Sequence, residues 1–168
     1  MKAVLCHHPG GRGGCERPSP GAPEAGWARR AVSHGGIWGT DYQICEGKHP
    51  FLEYPRVMGH EISATVVETG AGVEIAVGTP VIVNPYISCG RCVACRKDKA
   101  NCCTDIKVLG VHTHGAFCQE IPVPAGKPSA APAPSLQAPA TAELPATAAP
   151  ALRRSLPPAA SPAAALRA

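Results

Sequence analysis

Four cysteines, Cys89, Cys92, Cys95 and Cys103, follow one another as C-x2-C-x2-C-x7-C. No other feature of the chain limits its fold as much. Two-residue gaps let a tight turn aim successive sulfurs at one point, and a longer loop returns the fourth. Zinc takes four such thiolates in a tetrahedron at about 2.3 Å. A four-thiolate site is coordinatively closed, so it can hold a fold but presents no reactive water. An iron–sulfur cluster fits less well, because the ferredoxin run needs its fourth cysteine after three residues and then a proline. Cys102, beside Cys103, competes as fourth ligand on spacing alone. Arg91, Arg96, Lys97 and Lys99 partly offset the thiolate charge. On a solvated lobe they read as a solvated face rather than a nucleic-acid surface.

The other cysteines bring the total to nine, an odd number. Met1–Cys6 runs straight into His7-His8-Pro9-Gly10 with no apolar core of a secretory signal. A cytoplasmic protein is expected, and there thiols serve metals more often than disulfides. No apolar run approaches the length of a membrane span. The net charge of +4 is too mild to argue for nucleic acid or a membrane surface.

The composition changes near residue 125. From Ala125 to Ala168 there are 17 Ala and 9 Pro in 44 residues. Each proline removes a backbone donor and restricts its predecessor, so no long helix is expected there. The chain therefore divides into a domain at 1–125, with a zinc lobe at 89–103, and a Pro/Ala-rich tail at 126–168. Within the domain, Lys2–Cys6 and Trp27–Val32 are strand candidates, although Arg29-Arg30 interrupts the alternation of the second. Glu61–Thr69 is rich in β-branched residues and ends at the turn Gly70-Ala71-Gly72. Pro80–Val83 and Phe117–Val123 are further strands, while Gly10–Gly14 and Pro18–Gly26 read as loop. With no 3.6-residue periodicity, the expected fold is mainly β, a partly open barrel.

A second cluster gives these features a specific order. Gly36-Ile37-Trp38-Gly39-Thr40-Asp41, Glu46-Gly47-Lys48-His49-Pro50, Pro55-Arg56-Val57-Met58-Gly59-His60-Glu61 and Gly70-Ala71-Gly72-Val73 precede the cysteines. Leu109-Gly110-Val111-His112 follows them. This succession resembles the zinc-dependent medium-chain alcohol dehydrogenases, in particular the polyol, threonine and sugar-acid branch. The resemblance covers about residues 1–125 and implies a GroES-like catalytic domain. It favours Cys103 over Cys102 as the fourth ligand of the structural zinc. It also implies a catalytic zinc held by a cysteine, by His60 and Glu61, and often by a later glutamate, for which Glu143 is the candidate. Thr40 matches the family's proton-relay hydroxyl.

Three positions depart from the family pattern. Trp38 stands where the family has its zinc-binding cysteine, and an indole N–H is donor only. Gln43 stands at the relay histidine and cannot titrate. Ala64 replaces a glycine. No G-x-G-x-x-G occurs in the chain, so the NAD(P) domain of the family's complete members is expected to be missing. The expected function is thus a zinc-binding alcohol dehydrogenase-like domain. Its family reaction is NAD(P)-dependent oxidation of a secondary alcohol, and the isolated chain is expected to be inactive. A non-enzymatic zinc-stabilised interaction module or a degraded remnant stands as the alternative. Strand edges left uncovered by an absent domain favour self-association.

Overall fold

The structure is a computed structural model that describes residues 1–126 and 128–130. Ten strands dominate it. A hairpin of β1 (Lys2–His8) and β2 (Gly11–Glu16) is followed by β3 (Trp27–Gly36), helix α1 (Gly39–Cys45) and β4 (Arg56–Val57). Then come β5 (Glu61–Thr69), β6 (Pro80–Val83), β7 (Tyr86–Ile87), helix α2 (Val93–Arg96), a 3-10 turn (Ala100–Cys102), β8 (Lys107–Val108), β9 (Glu120–Pro124) and β10 (Pro128–Ala130).

The main sheet has five antiparallel strands in the order β10-β6-β5-β3-β9. Period-two alternation builds its buried face. Ile62, Ala64 and Val66 of β5 point inward with Val81 and Val83 of β6 and Ile121 and Val123 of β9. A second sheet, β2-β1-β4, joins the first through the bridge Ala3↔Cys118 and the bond from Val4 N to Phe117 O at 2.7 Å. Leu5, Val57 and Ala3 fill the space beneath it. Strands β7 and β8 pair only with each other and form the neck of the cysteine lobe. Pairing among the described residues does not close on itself, which gives the partly open architecture expected.

The sheet continues to Ala130, so chain pairing runs past the compositional shift near 125. The remainder of the Pro/Ala-rich segment, with Glu143, lies outside the described residues. Two expectations are corrected. Gly11–Gly14 is strand, not loop: Gly10, at φ +77°, makes the tight turn that folds it back on β1. The stretch Gly39–Cys45 is helical despite the lack of periodicity. The buried Asp41 carboxylate accepts the Trp38 N–H at 2.9 Å and so fixes the first turn. Ile44 anchors the helix in a small core with Cys6, Met58 and Val111.

The outer edge β9 is blunted. Ala125 donates its N–H inward to Gly26 O at 2.8 Å. By alternation, Pro122 and Pro124 lie on the outward side, where their rings leave no donor for a further strand.

Candidate metal centre

The neck β7–β8 brings Cys89 and Cys103 to the base of the lobe, and local backbone geometry aims the other two sulfurs. Gly90, at φ +72°, turns the chain after Cys89. Cys92 is the N-cap of α2, and its sulfur accepts the Cys95 N–H at 3.5 Å. The 3-10 turn Ala100–Cys102 then returns Cys103, which is buried. The four Sγ atoms all lie within 4.8 Å of one another. Two of the separations are 3.5 Å (Cys92–Cys95) and 4.0 Å (Cys89–Cys95). Four sulfurs about 2.3 Å from one zinc ion would stand about 3.8 Å apart, so the thiols fit that metal. Cys102 is exposed and outside the group, whose fourth member is Cys103.

The lobe also stabilises thiolate. Backbone N–H groups point at the sulfurs: Cys89 N and Asp105 N lie 3.3 and 3.4 Å from Cys103 Sγ. Backbone donors from Cys95 and Thr104 pull the Cys92 thiol down to about 5. Desolvation, with Cys92 alongside, pushes Cys95 up to about 11. Cys92 and Cys95 shift in opposite directions because one thiolate disfavours the next, and negative charge beyond the first calls for a cation.

His60 and Glu61 open β5 beneath a backbone clamp. Both are only 7% exposed. Gly59 precedes them at φ +94°, a conformation that suits glycine. The chain at 115–117 crosses directly over: Gly115 N donates to Val57 O, Ala116 N to Gly59 O and Phe117 N to Met58 O. Gly110 and Gly115 lie against the Gly59 backbone, and a Cβ on either would collide with it. These two glycines are site residues that sequence reasoning missed. Their contact is backbone against backbone across fifty positions, so no local signal marks them. His49 and His112 also belong to this neighbourhood. Burial lowers the His49 pKa, and the charges of His112 and His60 act in the same direction. Phe51 lies between His49 and His112, stacked on the latter at 6.4 Å.

Glu61 Oε1 is buried with no hydrogen-bond partner, as a metal-ligating oxygen would be before the metal binds. The third donor is what fails. Trp38 caps α1 and offers no lone pair. Among the described residues, the cysteine lobe is where three or more metal-ligating groups converge. Thr40 is half-buried in the first turn of α1 and Gln43 is exposed. The four thiols therefore fit a zinc ion, and among the described residues no third metal-ligating group joins His60 and Glu61.

The family model for the alcohol dehydrogenase GroES-like domain matches residues 24–135. The chain belongs to the alcohol dehydrogenase GroES-like domain family. Among similar curated proteins, the starvation-sensing protein RspB of Escherichia coli K12 is 44% identical over 126 residues, covering 74% of this chain and 37% of RspB. L-galactonate-5-dehydrogenase of the same organism is 39% identical over 127 residues, covering 74% of this chain and 36% of that enzyme. The crystal structure of rspB from E. coli CFT073, complexed with NADH, superposes with a TM-score of 0.76 at 39% identity, over 83% of this chain and 41% of that one. The chain thus spans well under half the length of these relatives.

Membership in the GroES-like family accounts for the layout of both clusters. The partly open sheet carries His60-Glu61 at the start of β5, and the cysteine lobe projects from β7–β8. No helix among the described residues is long and apolar enough to cross a membrane.

Proposed function

We propose that this chain is the GroES-like domain of a polyol- or sugar-acid-type dehydrogenase, held by one structural zinc and unable to oxidise an alcohol by itself. The convergence of four thiols in the lobe carries this reading, with Trp38 at the position where the resemblance calls for the cysteine that would join His60 and Glu61. The structural zinc would be held by Cys89, Cys92, Cys95 and Cys103. It would tie β7 to β8 through α2 and the 3-10 turn, and its chemistry is that of a crosslink. A catalytic zinc would supply Lewis acidity toward an alcohol oxygen. With an indole at the third ligand position, the Thr40 hydroxyl is left without the partner chemistry that the resemblance assigns to it. The hydride acceptor of the family is a nicotinamide, and the similar rspB structure holds NADH.

The test is elemental mass spectrometry of chelator-washed protein together with an assay for NAD(P)H formation from secondary alcohols and sugar acids. About one zinc per chain and no reduced nicotinamide is the expected result. Steady turnover by the isolated chain, lost on His60→Ala, would overturn the proposal.

A second reading is an interaction module that self-associates. The exposure of Ile37, Tyr42 and Phe51, on and around α1, favours it. These side chains offer apolar area to another surface. Sedimentation equilibrium decides: a concentration-dependent dimer weakened by Phe51→Ser supports it, and a monomer at all concentrations removes it.

A further inference from the structure

Arg29 and Arg30 are neighbours on β3 and meet opposite fates. The Arg29 guanidinium reaches Glu68 on β5 at 2.6 Å and Glu120 on β9 at 3.2 Å, so two carboxylates neutralise its charge, although its Nε has no hydrogen-bond partner. Arg30 alternates to the other face of the strand, the face on which Ala28 enters the core. It is 1% exposed, and its cross-strand neighbours are Val66 and Ile121. Neither Nε nor Nη2 has a hydrogen-bond partner, and no carboxylate among the described residues pairs with it.

Leaving Nε and Nη2 in this condition is costly, because these N–H groups have given up hydration without gaining a hydrogen bond. Desolvation lowers its pKa to about 10, so Arg30 is still a cation at neutral pH. The side chain lines a cavity of about 160 Å³, shared with Asn84, Tyr86, Ser88, Pro124 and Gly126. That is far more room than one water needs. Among the described residues, no acidic one lines it. Asn84, at its exposed rim, accepts the Tyr86 N–H through Oδ1 at 3.0 Å.

We propose that this cavity binds a small phosphate-class oxyanion, held by the Arg30 guanidinium with Asn84, Tyr86 and Ser88 lining the site. The planar fork of arginine matches two oxygens of such an anion, and the low-dielectric wall strengthens the pairing. Chloride offers one point of attachment where the fork offers two. The ligand is either inorganic phosphate or the phosphoryl end of a small phosphomonoester.

The zinc-loaded chain is titrated at constant ionic strength with inorganic phosphate, with glycerol phosphate and with chloride, and thermal unfolding is followed. Zinc content is measured in parallel, because Ser88 adjoins Cys89 and loss of metal must not be read as binding. A ligand that binds only the folded state raises the midpoint in a saturable way. The expected result is a saturable rise with phosphate or glycerol phosphate and none with chloride. It is lost in Arg30→Leu and kept in Arg91→Ala, which removes an exposed charge from the lobe. Arg30→Lys, which keeps the charge without the fork, is expected to bind about tenfold more weakly. A response to glycerol phosphate alone assigns the site to a phosphorylated metabolite, and a response to both admits free phosphate. Arg30→Leu replaces an unpaired buried charge by an apolar side chain and is expected to fold. Absence of a saturable response in the unaltered chain, or an equal response in Arg30→Leu, overturns the proposal.

Discussion

Gly115 packs so closely on Gly59 that a Cβ at position 115 would stand 2.2 Å from the Gly59 carbonyl oxygen. The obstacle is backbone, not the end of a flexible side chain, so it cannot swing away. Three hydrogen bonds lock the crossing, Gly115 N to Val57 O at 2.7 Å, Ala116 N to Gly59 O at 3.0 Å and Phe117 N to Met58 O at 3.0 Å. Gly115→Ala must therefore displace the segment that carries His60 and Glu61. Overpacking of this kind costs about 1–3 kcal/mol. Urea denaturation should show an unfolding free energy lowered by that amount, whereas Gly13→Ala, where a Cβ meets nothing within 4 Å, should be close to neutral. Equal effects at the two positions would mean that the clamp does not exist.

The cysteine lobe has a sharper prediction. Its ligands are spread over α2, the 3-10 turn and the two strands of the neck, and few buried apolar residues hold these pieces together. Removing zinc with a strong chelator should unfold the lobe and leave the five-stranded sheet in place. Cys92→Ser and Cys95→Ser should each abolish stoichiometric zinc, and Cys102→Ser should retain it. Hydrogen exchange at 86–108 after chelation reads the loss directly. Retention of zinc by the Cys95 variant would refute the four-thiolate assignment.

The parts of the fold legible in the sequence are those with local causes. Glu61–Thr69 and Pro80–Val83 are strands at the bounds that their β-branched residues predict. The four cysteines converge because their spacing needs only a turn and a short loop. Two elements escaped for opposite reasons. Strand β2 is half glycine and has no apolar side-chain signature; its pairing from Lys2↔Glu16 onward is imposed by β1. Helix α1 is too short at seven residues to show a period, and Asp41 and Ile44 hold it by tertiary contacts. Arg29-Arg30 broke the expected alternation of β3, yet the strand forms, and the discord marks the buried guanidinium of Arg30. The clamp of Gly110 and Gly115 on Gly59 was invisible because only the folded backbone brings the three together.

The clamp also has a pH dependence. His114 Nδ1 accepts the Val57 N–H at 3.1 Å, which requires that nitrogen to be unprotonated. Burial lowers the His114 pKa, with the Arg17 and Arg56 charges acting in the same direction. A lowered folded pKa means that the unfolded chain takes up the proton first as pH falls. Stability from this group is complete above the unfolded pKa of about 6.5 and declines as pH drops toward the folded value. His114→Asn supplies a non-titrating acceptor. Its stability relative to the unaltered chain should rise as pH is lowered from about 7 to about 5, since groups common to both cancel in the difference. Parallel denaturation profiles for the two proteins would rule out His114 as the sensitive group.

The final prediction concerns the third donor. His60 and Glu61 are in place, buried, with Glu61 Oε1 lacking a hydrogen-bond partner. Trp38 occupies the N-cap of α1 through its backbone: its N–H donates to Asp41 and its side chain makes no capping bond. A cysteine at this position would keep that bond, because the donor is main chain. Trp38→Cys should therefore leave α1 intact and complete a thiolate–imidazole–carboxylate set of the kind found at catalytic zinc sites. Zinc content should rise from about one to about two per chain, and the second ion should be lost on adding His60→Ala while the first stays. Cobalt substitution reads the same outcome optically, since the restored site and the four-thiolate lobe differ in sulfur count. If Trp38→Cys binds no additional metal, the donors at β5 are not arranged for one, and the indole is not what separates this chain from a catalytic domain.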